Sequence, residues 1–207
     1  MKRFIFDMDG TLLTSDFSGE KEYFKSVYGN DSYRIMNGMS TRLDSYEKAY
    51  DKYEVGTLCR YLTYTTGLIV TPEILNGWNE VIGNSPTKLE DGVIELLEYL
   101  KDNGHSLAVL TGWFKEPQIK RLENVGIIKY FDNIYTGDMI LKPHAIAYID
   151  AKRSFKWKDC VMIGNDLNKD YMIPRSLDMN AIFYDKNNLQ GDNIVKVKRM
   201  NEIIERF

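Results

Sequence analysis

The chain begins MKRFIFDMDGTLL, where two aspartates, Asp7 and Asp9, directly follow an apolar stretch. Carboxylates at the end of a buried strand are costly unless a cation or hydrogen bonds compensate them, so this placement asks for a partner. Other polar groups stand in the same relation to short apolar runs. Thr111-Gly112 follows LAVL, and Gly164-Asn165-Asp166 follows VMI with Asp170 four residues on. Lys142-Pro143 opens the segment that leads into the second of these runs. Aspartates supply hard oxygen ligands of the kind magnesium takes. A lysine, a hydroxyl and the N–H groups of tight turns suit a phosphate. Singly, each has a plain structural alternative, because aspartates cap turns and proline is common in a first helical turn. Together they describe a metal-assisted phosphate chemistry.

Such residues become one site only if the elements carry them to one edge. Apolar runs at residues 4–6, 107–110, 161–163 and 181–184 predict strands, with a weaker one at 133–136. Between them lie helical spacings. Val93, Leu96, Leu97 and Leu100 recur on one face before Gly104, and Ile119, Leu122 and Val125 mark a second helix. Ile146 and Ile149 mark a third, and residues 196–207 read as a final strand and helix. Helices alternating with short strands from residue 90 onward imply a parallel sheet with right-handed crossovers. Ligands of such a sheet bind outside the carboxyl ends of its strands, where these polar clusters fall.

Residues 15–85 read differently. Helical patterns cover 20–27, 41–53, 58–64 and 72–82, with turn signals at Gly29-Asn30-Asp31-Ser32 and Asn37-Gly38. The stretch is rich in tyrosine, expected to serve core and interface packing. The expected fold is therefore α/β: a Rossmann-like doubly wound parallel sheet core, residues 1–14 and 86–207, with a small all-helical cap domain, residues 15–85.

Hydrophobic residues make up 43% of the 207 and charged residues 28%, enough to bury a core. A net charge of -3 offers no basic footprint for nucleic acid. Cys59 and Cys160 have no metal-type spacing and read as buried thiols of a reducing compartment. No apolar run reaches bilayer length, so a cytoplasmic protein without membrane contact is expected.

The motifs resemble, in order, those of the haloacid dehalogenase superfamily of phosphohydrolases: DMDGTL, LAVLT, Lys142 before Pro143, and GNDLNKD. The resemblance covers the core and points to the subfamily of phosphoglycolate phosphatase and β-phosphoglucomutase, which carries a helical cap after the first motif. It implies that Asp7 is a nucleophile forming a phospho-aspartyl intermediate. Asp9 is implied as general acid/base, with Gly10 and Thr11 shaping the loop around the phosphate. Thr111 and the amide of Gly112 would hydrogen-bond phosphate oxygens, and Lys142 would offset negative charge. Mg2+ would be held by the Asp7 side chain, the Asp9 carbonyl and Asp166, with Asp170 behind Lys142. Trp113 and Phe114 are expected near the entrance. Within RIMNGMSTRL, Arg42 is expected to meet an anionic part of the substrate. The dehalogenases and phosphonatases of the superfamily lack the second aspartate of the first motif, so Asp9 argues for a hydrolase of small phosphomonoesters. A phosphomutase of the β-phosphoglucomutase type and a non-catalytic phosphate-binding relative are the alternatives. A monomer or homodimer with a small-molecule substrate is the expected working form.

Overall fold

The structure is a computed structural model that describes residues 1–189, 191 and 193–206. From β1 (Arg3–Phe6) the chain enters an antiparallel ribbon of β2 (Leu13–Ser15) and β3 (Thr87–Leu89). Downstream come β4 (Ser106–Leu110), β5 (Asn133–Tyr135), β6 (Cys160–Gly164), β7 (Asn180–Tyr184) and β8 (Lys196–Val197). Six of these strands form one sheet in the order β5-β4-β1-β6-β7-β8, every neighbouring pair parallel. Its order reverses beside the central β1.

Successive strand side chains point to opposite faces, and β1, β4, β6 and β7 are apolar on both. Phe4, Phe6, Leu107, Val109, Val161 and Ile163 pack on one side with Leu96, Leu97 and Leu100 of α6 (Val93–Asp102). Ile5, Ala108, Leu110, Met162 and Phe183 pack on the other with Ala147, Tyr148 and Ala151 of α8 (Ala145–Lys152). That two-faced burial is what a doubly wound sheet requires. The expectation for α8 needs correction. Ile146 and Ile149 are each 45% exposed, while the smaller Ala147 and Ala151 are fully buried. Close approach of helix to sheet selects small side chains over larger ones.

Between β2 and β3 lie α1 (Gly19–Tyr28), α2 (Tyr33–Met36), α3 (Met39–Ala49), α4 (Val55–Thr66) and α5 (Pro72–Gly83). Pro72 sits in the first turn of α5, where its missing N–H costs nothing, and the Thr71 side chain caps that helix. Phe24, Tyr46, Leu58, Leu62, Leu75 and Trp78 form a separate apolar cluster among these helices. The helix predicted across 41–53 stops at Ala49, because Tyr50 takes extended backbone. The next residues run along the sheet core instead: Leu141 N donates to Asp51 O at 2.7 Å, and Tyr53 N to Gly137 O at 2.7 Å. Three-residue β2 and β3 are too short to show an alternation, which is why sequence patterning passed over them. The last strand is followed by a 3-10 turn at Met200–Arg206; the expected helix thus closes as a tighter coil, and Phe207 lies outside the described residues.

Candidate active site

Register places the chemistry. Phe6 pairs with Val109 on one side and Ile163 on the other. The chain therefore leaves β1 at Asp7, β4 at Thr111 and β6 at Asn165 along a single edge. Asp7 is only 9% exposed, and its two oxygens have different partners. Lys142 Nζ donates to Oδ1 at 2.7 Å, and the Thr11 hydroxyl donates to Oδ2 at 3.1 Å. The carboxylate is thus oriented before any ligand arrives.

Lys142 also donates to Asp170 Oδ1 at 2.6 Å, so one ammonium bridges two carboxylates. Burial alone favours a neutral lysine, but Asp170 and Asp7 outweigh it and hold Lys142 charged. The same burial pushes the Asp170 carboxyl up, with Lys142 pulling against it. Asp170 Oδ2 in turn accepts from the Asp166 N–H at 3.0 Å. This arrangement depends on Gly164: a Cβ there would lie 2.2 Å from Asp170 Oδ2. Gly10 has a comparable role, with φ +72° and a hypothetical Cβ only 2.4 Å from Asn165 Nδ2.

Asp166 opens an irregular helical turn, Leu167–Met172, and its Oδ1 accepts from the Asn168 and Lys169 N–H groups at 2.9 and 2.8 Å. Asp7, Asp166 and the main-chain carbonyl of Asp9 make up an oxygen donor set that fits magnesium in chemistry. No cluster of three or more His, Cys, Asp or Glu side chains suited to a metal occurs among the described residues. A metal here would therefore rest on two carboxylates, one carbonyl and solvent.

Asp9 has a neighbour that sequence reasoning missed. Arg121, on α7 (Lys115–Asn124), pairs with both Asp9 oxygens, and also donates to Ser15 Oγ at 2.7 Å and Gln118 Oε1 at 2.7 Å. Its guanidinium is buried beneath the Phe17 ring. One turn earlier, Gln118 Nε2 donates to Thr111 Oγ1 and to Gly112 O, both at 2.9 Å. Receiving that bond leaves the Thr111 proton free to donate elsewhere. Of Ile119, Leu122 and Val125, read as the apolar face of this helix, Leu122 is fully buried but the other two only partly, whereas polar Gln118 and Arg121 are buried. Their spacing of three was the available signal; polarity disguised it.

A cavity of about 290 Å³ opens above these groups. Of the residues singled out from sequence, all but Gly10, Thr11, Phe114 and Arg42 line it. Thr11 lies buried beneath Asp7, and Gly10 borders a neighbouring groove. Arg42 is turned back on its own loop, where Nη1 donates to Asn37 O at 2.5 Å. The helical insertion contributes Leu43, Glu47 and Tyr53 instead. Trp113 lines the cavity at φ +69°, while Phe114 stacks on Tyr53 within the insertion's aromatic cluster. His144 lies 2.7 Å from Glu47 O and 2.8 Å from Tyr50 O, tying the end of α3 to the Lys142 loop.

Comparison with known proteins agrees with this architecture. The structure is similar to that of a HAD phosphatase from Thermococcus onnurineus, with TM-score 0.72 and 21% identity over 100% of this chain and 97% of that one. It is also similar to YfnB from Bacillus subtilis bound to magnesium, with TM-score 0.69 and 14% identity over 99% and 97%. A third likeness is to L-2-haloacid dehalogenase from Xanthobacter autotrophicus, with TM-score 0.71 and 13% identity over 99% and 97%. No curated protein sequence matches the chain. Among the described residues, no helix is long and apolar enough to cross a membrane. The family model of haloacid dehalogenase-like hydrolases matches residues 1–177, and the chain belongs to that family of enzymes.

Proposed function

We propose that the protein is a magnesium-dependent phosphohydrolase that cleaves small phosphomonoesters through a phospho-aspartyl intermediate on Asp7. The observation that carries this reading is the presence of Asp9 in the same cavity as the oriented Asp7. A halide leaves without a proton, whereas the oxygen of a phosphate ester needs one, and Asp9 is the group available to supply it.

The residues divide the work as follows. Asp7 Oδ1 is held by Lys142 and Oδ2 by Thr11, so the carboxylate presents a fixed oxygen to phosphorus. As the Asp7–phosphorus bond forms and the ester bond breaks, the departing oxygen takes a proton from Asp9. Asp9 then accepts a proton from the water that attacks the acyl phosphate, which restores Asp7 and releases inorganic phosphate. Thr111 has a proton to donate to a phosphate oxygen because Gln118 already donates to its hydroxyl. Lys142 offsets charge on Asp7 as the phosphoryl group approaches. Asp7, Asp166 and the Asp9 carbonyl would hold magnesium, which would neutralise phosphate charge when bound. Arg121 pairs with both Asp9 oxygens, so Asp9 reaches the leaving oxygen only where that pair loosens.

Phosphate release from purified protein, with and without magnesium, tests the reading across a panel of phosphomonoesters. Magnesium-dependent release abolished by Asp7→Asn supports it. Release that survives Asp7→Asn unchanged removes Asp7 from the role of nucleophile.

A further inference from the structure

The outer half of the cavity carries its own charge pattern. Lys169 Nζ donates to Glu47 Oε2 at 2.6 Å and lies 3.5 Å from Asp44 Oδ1. Tyr53 donates its hydroxyl to the other Glu47 oxygen at 2.6 Å. Both members of the central pair are largely out of water, their side chains 18% and 16% exposed.

This cluster is built rather than fortuitous. The Lys169 backbone is gripped on both sides, its N–H by Asp166 Oδ1 at 2.8 Å and its carbonyl by the Tyr148 hydroxyl at 2.5 Å. The backbone around Glu47 is pinned to the sheet core through His144, Leu141 and Gly137. The segment 47–53 is therefore a fixed wall of the site, although it belongs to the helical insertion.

Every cation at the cavity already has a carboxylate. Lys142 has Asp7 and Asp170, Lys169 has Glu47 and Asp44, and the Arg121 guanidinium behind Asp9 is matched by it. A second anionic group on the substrate would meet no unpaired positive charge, and it would meet the Glu47 carboxylate at close range. An ammonium with a proton to spare beside a carboxylate with lone pairs to spare suits groups that both donate and accept, which is what hydroxyls do. Leu43, Tyr53 and Trp113 offer an apolar wall for the carbon chain between them.

We infer that Glu47, Tyr53 and Lys169 form the leaving-group subsite, and that it selects an uncharged, hydroxylated leaving group of the polyol or sugar kind over one with a second anion. The inference rests on the phosphatase reading above and makes Glu47 a specificity-determining residue. It displaces Arg42 from that part.

Glycerol 3-phosphate and 3-phosphoglycerate test it, because they differ chiefly in a hydroxymethyl group against a carboxylate. The unaltered protein is expected to turn over glycerol 3-phosphate with kcat/KM at least roughly tenfold above that for 3-phosphoglycerate. Glu47→Gln keeps an acceptor for Tyr53 and Lys169 but uncovers lysine charge. The ratio is then expected to shift by roughly tenfold or more toward 3-phosphoglycerate, mainly through a lower KM for that ester. A purely structural role for Glu47 slows both esters alike and leaves the ratio unmoved, which overturns the inference. So does an unaltered protein that prefers the carboxylate, or one that cleaves p-nitrophenyl phosphate but neither glycerol ester. No release from any of the three, with or without magnesium, overturns the phosphatase reading itself.

Discussion

Arg121 and Asp9 form an unequal pair: the guanidinium is 1% exposed, while the aspartate side chain is 42% exposed. The two partners therefore do not lose equally when the other is removed. Asp9→Ala strands a buried cation that keeps Ser15, Gln118 and the Phe17 ring but loses its paired carboxylate, and breaking a buried pair in this way costs about 3–5 kcal/mol. Arg121→Met removes the buried charge and leaves Asp9 within reach of water, for a smaller loss of about 1–2 kcal/mol. Urea denaturation of both variants checks the order. An Arg121→Met protein less stable than Asp9→Ala contradicts it.

Asp7→Asn is expected to lower phosphate release by roughly a thousandfold or more, since an amide is a poor nucleophile. Lys142 keeps Asp170 as its carboxylate, so the fold survives. Circular dichroism and thermal unfolding alongside the activity assay separate the two effects. Activity lost together with structure points to a supporting role for Asp7 instead.

Gly164 is the hinge on which the acid beneath Lys142 turns. With a Cβ placed 2.2 Å from Asp170 Oδ2, Gly164→Ala has to displace either the carboxylate or the end of β6. Overpacking of this kind costs about 1–3 kcal/mol. Lys142 loses alignment as well, so kcat is expected to fall while KM changes little. Wild-type kcat in this variant denies Asp170 the part of holding Lys142 in place.

Glu90 joins the ribbon to the sheet, accepting from Thr14, from the Tyr184 hydroxyl at 2.9 Å and from Lys186 at 2.7 Å. Burial pushes its carboxyl up, but the hydrogen bonds from Lys186, Thr14 and Tyr184 outweigh that, and the net shift is downward. A carboxyl lowered in the folded state stabilises above its ordinary range and loses that contribution as pH falls through the folded value. The Glu90→Gln variant is thus expected to be less stable at neutral pH. The gap from the unaltered protein should close on acidification below about pH 4, near the ordinary range of a glutamate. A gap that stays constant from neutral to acid pH shows that Glu90 acts without its charge.

Much of the core was legible in the sequence because parallel strands buried on both faces are continuous apolar runs. FIF, LAVL and VMI stop where the sheet stops, and the polar residues after them land together once β1 lies between β4 and β6. Asp7, Thr111 and Asp170 meet for that reason, and period and punctuation carry such information locally. Arg121, Gln118, Glu47 and Lys169 followed no such rule. Arg121 and Gln118 are polar residues on a buried helix face, where a search for apolar spacing passes over them. Glu47 and Lys169 lie 122 residues apart and acquire meaning only as a 2.6 Å pair. Arg42 is the converse case, an arginine in a promising loop that the carbonyls of Ile35 and Asn37 hold away from the cavity. The sequence by itself determined which edge gathers the polar groups of the candidate site, since strand ends are a local property. Only the tertiary structure decided how those groups are charged and what they face, because electrostatic partners are set by distance in space and not along the chain.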